Sequence, residues 1–266
     1  MIKKSFENLE VPALGFGTWQ LRGKACQKAI HHALDIGYRH IDTAQLYENE
    51  QDVGQALAES DIPREEVFLT TKVGQNRLSC EEVLHSVNES LEKLQTQYCD
   101  LLLIHWPSET VPLVNTLEAM KVLKADGKIN AIGVSNFPPA LLKKAMNIAN
   151  VMCNQVEYHP FLNQDELLEI ASENNLMITA YSPLAKGEVM EDPTLRKIGE
   201  KYDKNPVQIT LRWLIQQENV VAIPKAADPE HRERNFNIFD FELSSTEMDQ
   251  IFKLEKGERL IHRPVH

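Results

Sequence analysis

The stretch "GYRHIDTAQLYENEQ", Gly37–Gln51, runs an apolar segment into an aspartate, Asp42, and sets a tyrosine, Tyr47, in the loop that follows. Taken singly, a strand-end aspartate is ordinarily a cap and a loop tyrosine is ordinarily half-buried packing. The pattern recurs along the chain, however. "VFLTTKV" ends near Lys72, "CDLLLIHW" near His105, "AIGVSN" at Ser135 and Asn136, "MCNQVEY" near Gln155, and "MITAYSP" near Tyr181. Several of these runs are apolar without alternation, as parallel strands covered on both faces are. Between them lie amphipathic stretches such as "CEEVLHSVNESLEKL" and "NPVQITLRWLIQQ", opened by Asn, Pro or Asp and closed by Gly or Asn. With "VVAIPK" and "NFNIFDF" as the last two strands, the alternation predicts an α/β fold, a (β/α)8 TIM barrel forming one domain over residues 1–266. Ahead of it, "SFENLEVPALGFGTW" predicts two short strands around a Pro-containing turn, a β-hairpin that closes the barrel floor.

Composition narrows the function. A net charge of −11 and no dense run of Lys and Arg argue against nucleic acid and anionic membrane as partners. Cys26, Cys80, Cys99 and Cys153 are spread without a C-x-x-C pair, which fits reduced thiols in a cytoplasmic protein. No apolar run approaches the roughly 20 residues that span a bilayer, and the N-terminus "MIKKSFENLEVP" has no signal-peptide core. A monomer is the default expectation for a complete barrel with an acidic surface.

Barrel enzymes carry their sites at the C-terminal ends of the strands. Asp42, Tyr47, Lys72 and His105 sit at consecutive exits, and burying such a set without function would cost several kcal/mol per ion. The set suits protonation of a carbonyl oxygen while hydride reaches its carbon. Lysine beside the phenol favours phenolate, aspartate orients the lysine, and histidine directs the substrate oxygen. No metal is expected, because the only close histidine pair, His31 and His32, is adjacent on a helix and faces different ways. "GFGTWQ", Gly15–Gln20, lacks the third glycine of a dinucleotide fingerprint. A nicotinamide carboxamide would instead meet Ser135, Asn136 and Gln155, with Tyr181 stacked on the ring, although "SNFPPALL" also reads as an ordinary helix start.

These residues resemble the aldo-keto reductases, NAD(P)H-dependent barrel enzymes. The matching motifs are "GYRHIDTAQLYENEQDVG", "FLTTK", "LLLIHWP", "IGVSNF", "NQVEYHP", "YSPLA" and "IPKA", in family order from end to end. The likeness is strongest to small bacterial members that reduce diketogluconate and methylglyoxal-like carbonyls. It implies a tetrad of Tyr47 as proton donor, Lys72, Asp42 and His105. It also implies cofactor contacts at Gly17, Thr18, Asp42, Ser135, Asn136, Gln155, Tyr181, Ser182, Leu184, Lys225, Ala226, His231 and Asn235. Substrate contacts fall to Trp19, Trp106, Tyr47 and His105. Ala226 and His231 stand where the family has the serine and arginine that grip the 2′-phosphate. Those replacements count against a grip on that phosphate, but Lys225 still offers it a charge, with Arg232 and Arg234 nearby, so NADPH is expected and NADH use is allowed. Gly74 replaces a tryptophan wall of the substrate site, which implies an open pocket for a small-molecule carbonyl. Arg259, His262 and Arg263 offer charge to a substrate carboxylate, a solvated tail being the ordinary alternative. The rival class is a non-catalytic nucleotide-binding barrel acting as a regulatory or interaction subunit.

Overall fold

A computed structural model of the chain describes residues 1–262, so Arg263 lies outside it. Lys3–Phe6 (β1) and Leu9–Pro12 (β2) pair antiparallel. The turn between them is Glu7–Asn8, with Glu7 at φ 52°, and it holds no proline. Pro12 ends β2 instead, a strand-terminal place where a residue without an N–H is tolerated. Phe6 and Val11 turn into the barrel and pack on Phe68, Leu101, Met152 and Val221. The hairpin therefore closes the floor as the sequence implies.

Eight parallel strands follow: Phe16–Gly17 (β3), His40–Asp42 (β4), Phe68–Val73 (β5), Cys99–Ile104 (β6), Ile129–Ser135 (β7), Val151–Glu157 (β8), Met177–Tyr181 (β9) and Val220–Ala222 (β10), each paired with the next. The ring closes where Leu14 bridges Ala222 in parallel. Across that seam the Ala222 N–H donates to Ala13 O at 3.0 Å, Gly15 N–H to Ala222 O at 2.8 Å, and Gly17 N–H to Pro224 O at 3.1 Å. Gly17 is required here, since a Cβ would lie 2.9 Å from Ile223 O.

The eighth strand is thus not "NFNIFDF". That segment finishes a helix begun by the Asp228 cap and Pro229, and no strand follows among the described residues. Its alternating apolar residues pack between helices: the Phe236 ring lies 4.9 Å from Tyr38 and 5.3 Å from Phe239, and Ile238 is fully buried. β3 supplies the missing strand with only two residues.

Ten helices among the described residues surround the ring: α1 (Gly23–Asp35), α2 (Glu50–Ala58), α3 (Cys80–Lys93), α4 (Leu113–Ala125), α5 (Pro139–Met146), α6 (Asp165–Asn174), α7 (Pro193–Glu200), α8 (Pro206–Gln216), α9 (Pro229–Phe236) and α10 (Ser245–Phe252). Local chemistry marks their starts. Asn205 and Gln208 form a reciprocal capping box at α8 with Pro206 in the first turn, and Ser244 and Glu247 do the same at α10. None of the described helices is long and apolar enough to cross a membrane.

Strand period explains both the apolar runs and the placing of the site. On β6, Leu101 and Leu103 join the interior cluster, while Leu102 and Ile104 join the layer under the helices. On β5, Phe68 points to the floor, so Thr70 and then Lys72 share its inner face higher up. The interior therefore climbs from an apolar floor, through a His40–Thr70 contact of 3.3 Å, to a charged mouth.

Candidate active site

Asp42 ends β4, and Tyr47 closes a single 3-10 turn, Gln45–Tyr47. Lys72 lies on β5, and His105 directly follows β6, its N–H donating to Val73 O at 3.1 Å. Lys72 is fully buried and Asp42 is 1% exposed. An ammonium has three N–H donors, and all three are placed. They go to Asp42 Oδ1 at 2.6 Å, Thr43 O at 2.8 Å and the Tyr47 hydroxyl at 3.4 Å. The second Asp42 oxygen accepts from Gln155 Nε2 at 2.8 Å. Because the phenol oxygen accepts from lysine, its own proton is free for a further acceptor. Thr43 contributes through its carbonyl, which no side-chain pattern signals.

Burial holds the Lys72 ammonium's partners to account: desolvation works against its charge, but Asp42 and Tyr47 outweigh it and raise its pKa. Burial also raises the Tyr47 pKa, with Lys72 pulling the other way. The expected lowering by Lys72 is present, yet burial exceeds it in the resting protein, and the tyrosine keeps its proton. His105 is lowered to about 3, by burial first and by the Lys72 charge second, so its imidazole is neutral. Its ring stands edge-on to Tyr47 with centroids 5.6 Å apart. His105 Nδ1 is buried with no hydrogen-bond partner among the described residues.

Ser135 ends β7, and Asn136 beyond it adopts φ 64°. Asn136 Nδ2 donates to His105 O at 3.0 Å and Ser135 Oγ at 3.0 Å, while Asn136 Oδ1 accepts from the Tyr181 hydroxyl at 2.6 Å. Ser135 Oγ donates to Gln155 O at 2.8 Å. With the Gln155–Asp42 bond, these links join Tyr47 to Tyr181 in one polar network around the mouth.

The remaining expected residues divide. Gly17 sits at the seam, and Thr18 is buried with its hydroxyl donating to Asp42 O at 2.9 Å, so it braces β4. Trp19 is 48% exposed and Trp106 is half-buried. Ser182, at φ 46°, and Leu184 are half-buried beyond β9. Lys225 is exposed with no partner among the described residues, while Ala226 is buried and His231 exposed. Arg232 is spent: its guanidinium donates to Ala226 O at 3.0 Å and Ala227 O at 2.7 Å. Arg234 pairs with Glu230 at 3.1 Å. Asn235 is 4% exposed and its side chain has no partner among the described residues. His31 and His32 go separate ways, one to Ala56 O and the other to Glu233.

One positioning residue escapes a reading by type. Asn49 precedes α2 and looks like a cap, but its side chain makes no cap bond. It accepts from Thr43 Oγ1 at 2.7 Å and donates to Thr18 O and Leu21 O, both at 2.9 Å, tying together the two loops that carry Trp19 and Tyr47. Away from the mouth, a groove of about 430 Å³ lies between the end of α1 and the end of α9, on the floor side.

The sequence profile of the Aldo/keto reductase family matches residues 13–256. A glyoxal reductase of Bacillus subtilis is 40% identical over 264 residues, covering 98% of this chain and 95% of the relative. A 9,11-endoperoxide prostaglandin H2 reductase of Trypanosoma cruzi is 40% identical over 259 residues, covering 95% and 91%. Among solved structures, one assigned as a 2,5-diketo-D-gluconic acid reductase B superposes with a TM-score of 0.95 at 40% identity, covering 98% of this chain and 94% of the other.

Proposed function

The chain belongs to the aldo/keto reductase family, and from that premise we propose that it reduces small aldehydes and ketones, of the glyoxal or diketogluconate kind, to alcohols with NADPH, using Tyr47 as the acid. The observation that carries the reading is the complete assignment of the Lys72 donors, which leaves the Tyr47 proton free at the mouth. The nicotinamide cofactor supplies the hydride. Tyr47 gives its proton to the developing alkoxide, and Lys72, still charged against Asp42, steadies the phenolate that remains. His105, neutral, donates one N–H to the carbonyl oxygen and sets its direction.

The residues present fit such a cofactor. Asn235 and Lys225 are without partners among the described residues, and the buried His105 Nδ1 is likewise unmatched. Ser135, Asn136 and Gln155 would hold the carboxamide, and Tyr181 would pack on the ring. With Arg232 committed to the backbone, Lys225 would be the charged contact to a 2′-phosphate, so NADPH is preferred and NADH accepted. The protein works in this reading as a cytoplasmic monomer of one domain.

The test is the fall in absorbance at 340 nm with each cofactor on methylglyoxal, a diketogluconate, glyceraldehyde and an aromatic aldehyde. Turnover that Tyr47→Phe lowers by about 10²-fold or more, with NADPH binding retained by fluorescence quenching, is expected. Cofactor binding without turnover on any carbonyl, unaltered by Tyr47→Phe, would mean a nucleotide-binding barrel instead.

A further inference from the structure

A second carboxylate is buried at the same mouth and takes no part in the tetrad. Glu157 ends β8 directly beside Tyr181 of β9, and its side chain is 0% exposed. A buried carboxylate must find donors, and no lysine or arginine reaches it among the described residues. His159 Nε2 lies 3.1 Å from Oε1. The Phe161 N–H donates to His159 Nδ1 at 3.3 Å, so the ring proton is on Nε2 and the imidazole donates to Glu157. The other two donors come from the far end of the chain: Leu260 N–H to Oε1 at 2.7 Å and Ile261 N–H to Oε2 at 2.9 Å.

Those bonds turn the segment after α10 into a strap. Lys256 N–H and Glu258 N–H both donate to Phe161 O at 3.1 Å, and Lys256 Nζ sits 4.3 Å above the Phe161 ring. Lys186, in the loop beyond β9, donates to Leu260 O at 3.2 Å. The strap is thus fixed on both sides of Tyr181's strand exit, and the residue just before the clamped pair is Arg259. Its side chain is exposed and has neither a hydrogen bond nor an ion pair among the described residues. Its field reaches the Tyr181 phenol, opposing the upward push of burial and of Glu157. In a chain of net charge −11, an unpaired guanidinium held at the mouth favours a carboxylate, whose two oxygens match its fork.

We propose that Glu157 is a positioning residue that clamps the C-terminal strap to the exits of β8 and β9, so that Arg259 serves as the docking cation for a carbonyl substrate bearing a carboxylate. The proposal rests on the carbonyl-reductase reading above and names its substrate class. A clamp that released the strap would leave the tetrad in place and lose only the docking charge.

The experiment compares 4-carboxybenzaldehyde with its uncharged methyl ester at saturating NADPH, for the full chain and for Arg259→Met, Glu157→Gln and the double variant. The ratio of KM for the acid to KM for the ester is expected to rise about fivefold in Arg259→Met, the scale of an exposed ion pair. Glu157→Gln is expected to raise the ratio similarly and the double variant no further. Hydrogen exchange at the Leu260 and Ile261 amides is expected to quicken in Glu157→Gln but not in Arg259→Met. A ratio held at the wild-type value in Arg259→Met overturns the proposal, and because that substitution is on the surface it survives any folding failure of Glu157→Gln. Fully additive ratios in the double variant overturn the clamp. If the wild type reduces neither aldehyde while the exchange result holds, the reductase reading falls and takes the docking role with it.

Discussion

Replacing Lys72 by methionine keeps a side chain of similar reach and removes one charge, and the geometry sets what that costs. The ammonium stands 3.4 Å from the Tyr47 oxygen, so at an effective dielectric of about 20 it stabilises a full phenolate by up to about 5 kcal/mol. Asp42, 2.6 Å from the same ammonium, works against the phenolate and reduces that figure, to about half as a working value. A proton partly transferred in the transition state would feel a further fraction, and the loss expected in the chemical step is about 10²-fold, within the usual range for general acid catalysis. The substitution also leaves Asp42 buried with Gln155 as its remaining side-chain donor, a situation that costs about 3–5 kcal/mol of stability if the carboxylate stays charged. Lys72→Met should therefore be made both alone and with Asp42→Asn, which removes the stranded charge. Single-turnover measurement at 340 nm isolates the hydride step from product release, and fluorescence quenching reports NADPH binding separately. The expected result is slow chemistry in both variants with better folding in the double. A folded Lys72→Met protein whose single-turnover rate lies within fivefold of wild type would refute the role given to lysine.

Three other outcomes follow from the same geometry. Lys225→Ala is expected to raise the KM for NADPH about threefold to tenfold and that for NADH less, as loss of one exposed charge-assisted contact would; equal effects on both would show that Lys225 does not read the 2′-phosphate. His105, lowered to about 3, is neutral in the fold from neutral pH down to that value, while the unfolded chain protonates it near 6.5, so its contribution to stability is present above about 6.5 and is lost as pH falls toward 3. The urea midpoint should accordingly fall less between pH 6.5 and 4 in His105→Asn than in wild type, and an identical slope would contradict the assignment. Phe6→Ala, which opens the floor, should cost about 3–5 kcal/mol in urea unfolding and change turnover far less, since Phe6 packs on Phe68 and Leu101 at the end opposite the tetrad.

What was legible in the sequence, and what was not, divides by whether the information was local. An apolar strand that ends in Asp42 or carries Lys72 on the face of Phe68 announces a charged mouth above an apolar floor, because period two alone decides which residues share the interior. The seam was hidden for the opposite reason. β3 has only two residues, and what makes it a strand is its place between partners: Phe16 and Gly17 pair with Ile41 and Asp42 of β4, and the seam on the other side is bonded to Ala222 and Pro224, some 200 positions away. "NFNIFDF" alternates as a strand does, yet its rings answer to Tyr38 and to one another, and alternation cannot tell a sheet from a loop threaded between helices. Charge type is just as uninformative in the segment after β10: Arg232 is as basic as Lys225, but backbone carbonyls consume it, and of the two only Lys225 is free among the described residues. Tyr47 shows the limit most plainly. Its neighbours could be named from spacing, but the direction of its pKa is set by burial against the Lys72 charge, a balance that exists only once the ring has closed around both. The same closure brings Leu260 and Ile261 to Glu157, so the part of the mouth that would choose among carbonyls is written in contacts that no stretch of sequence contains.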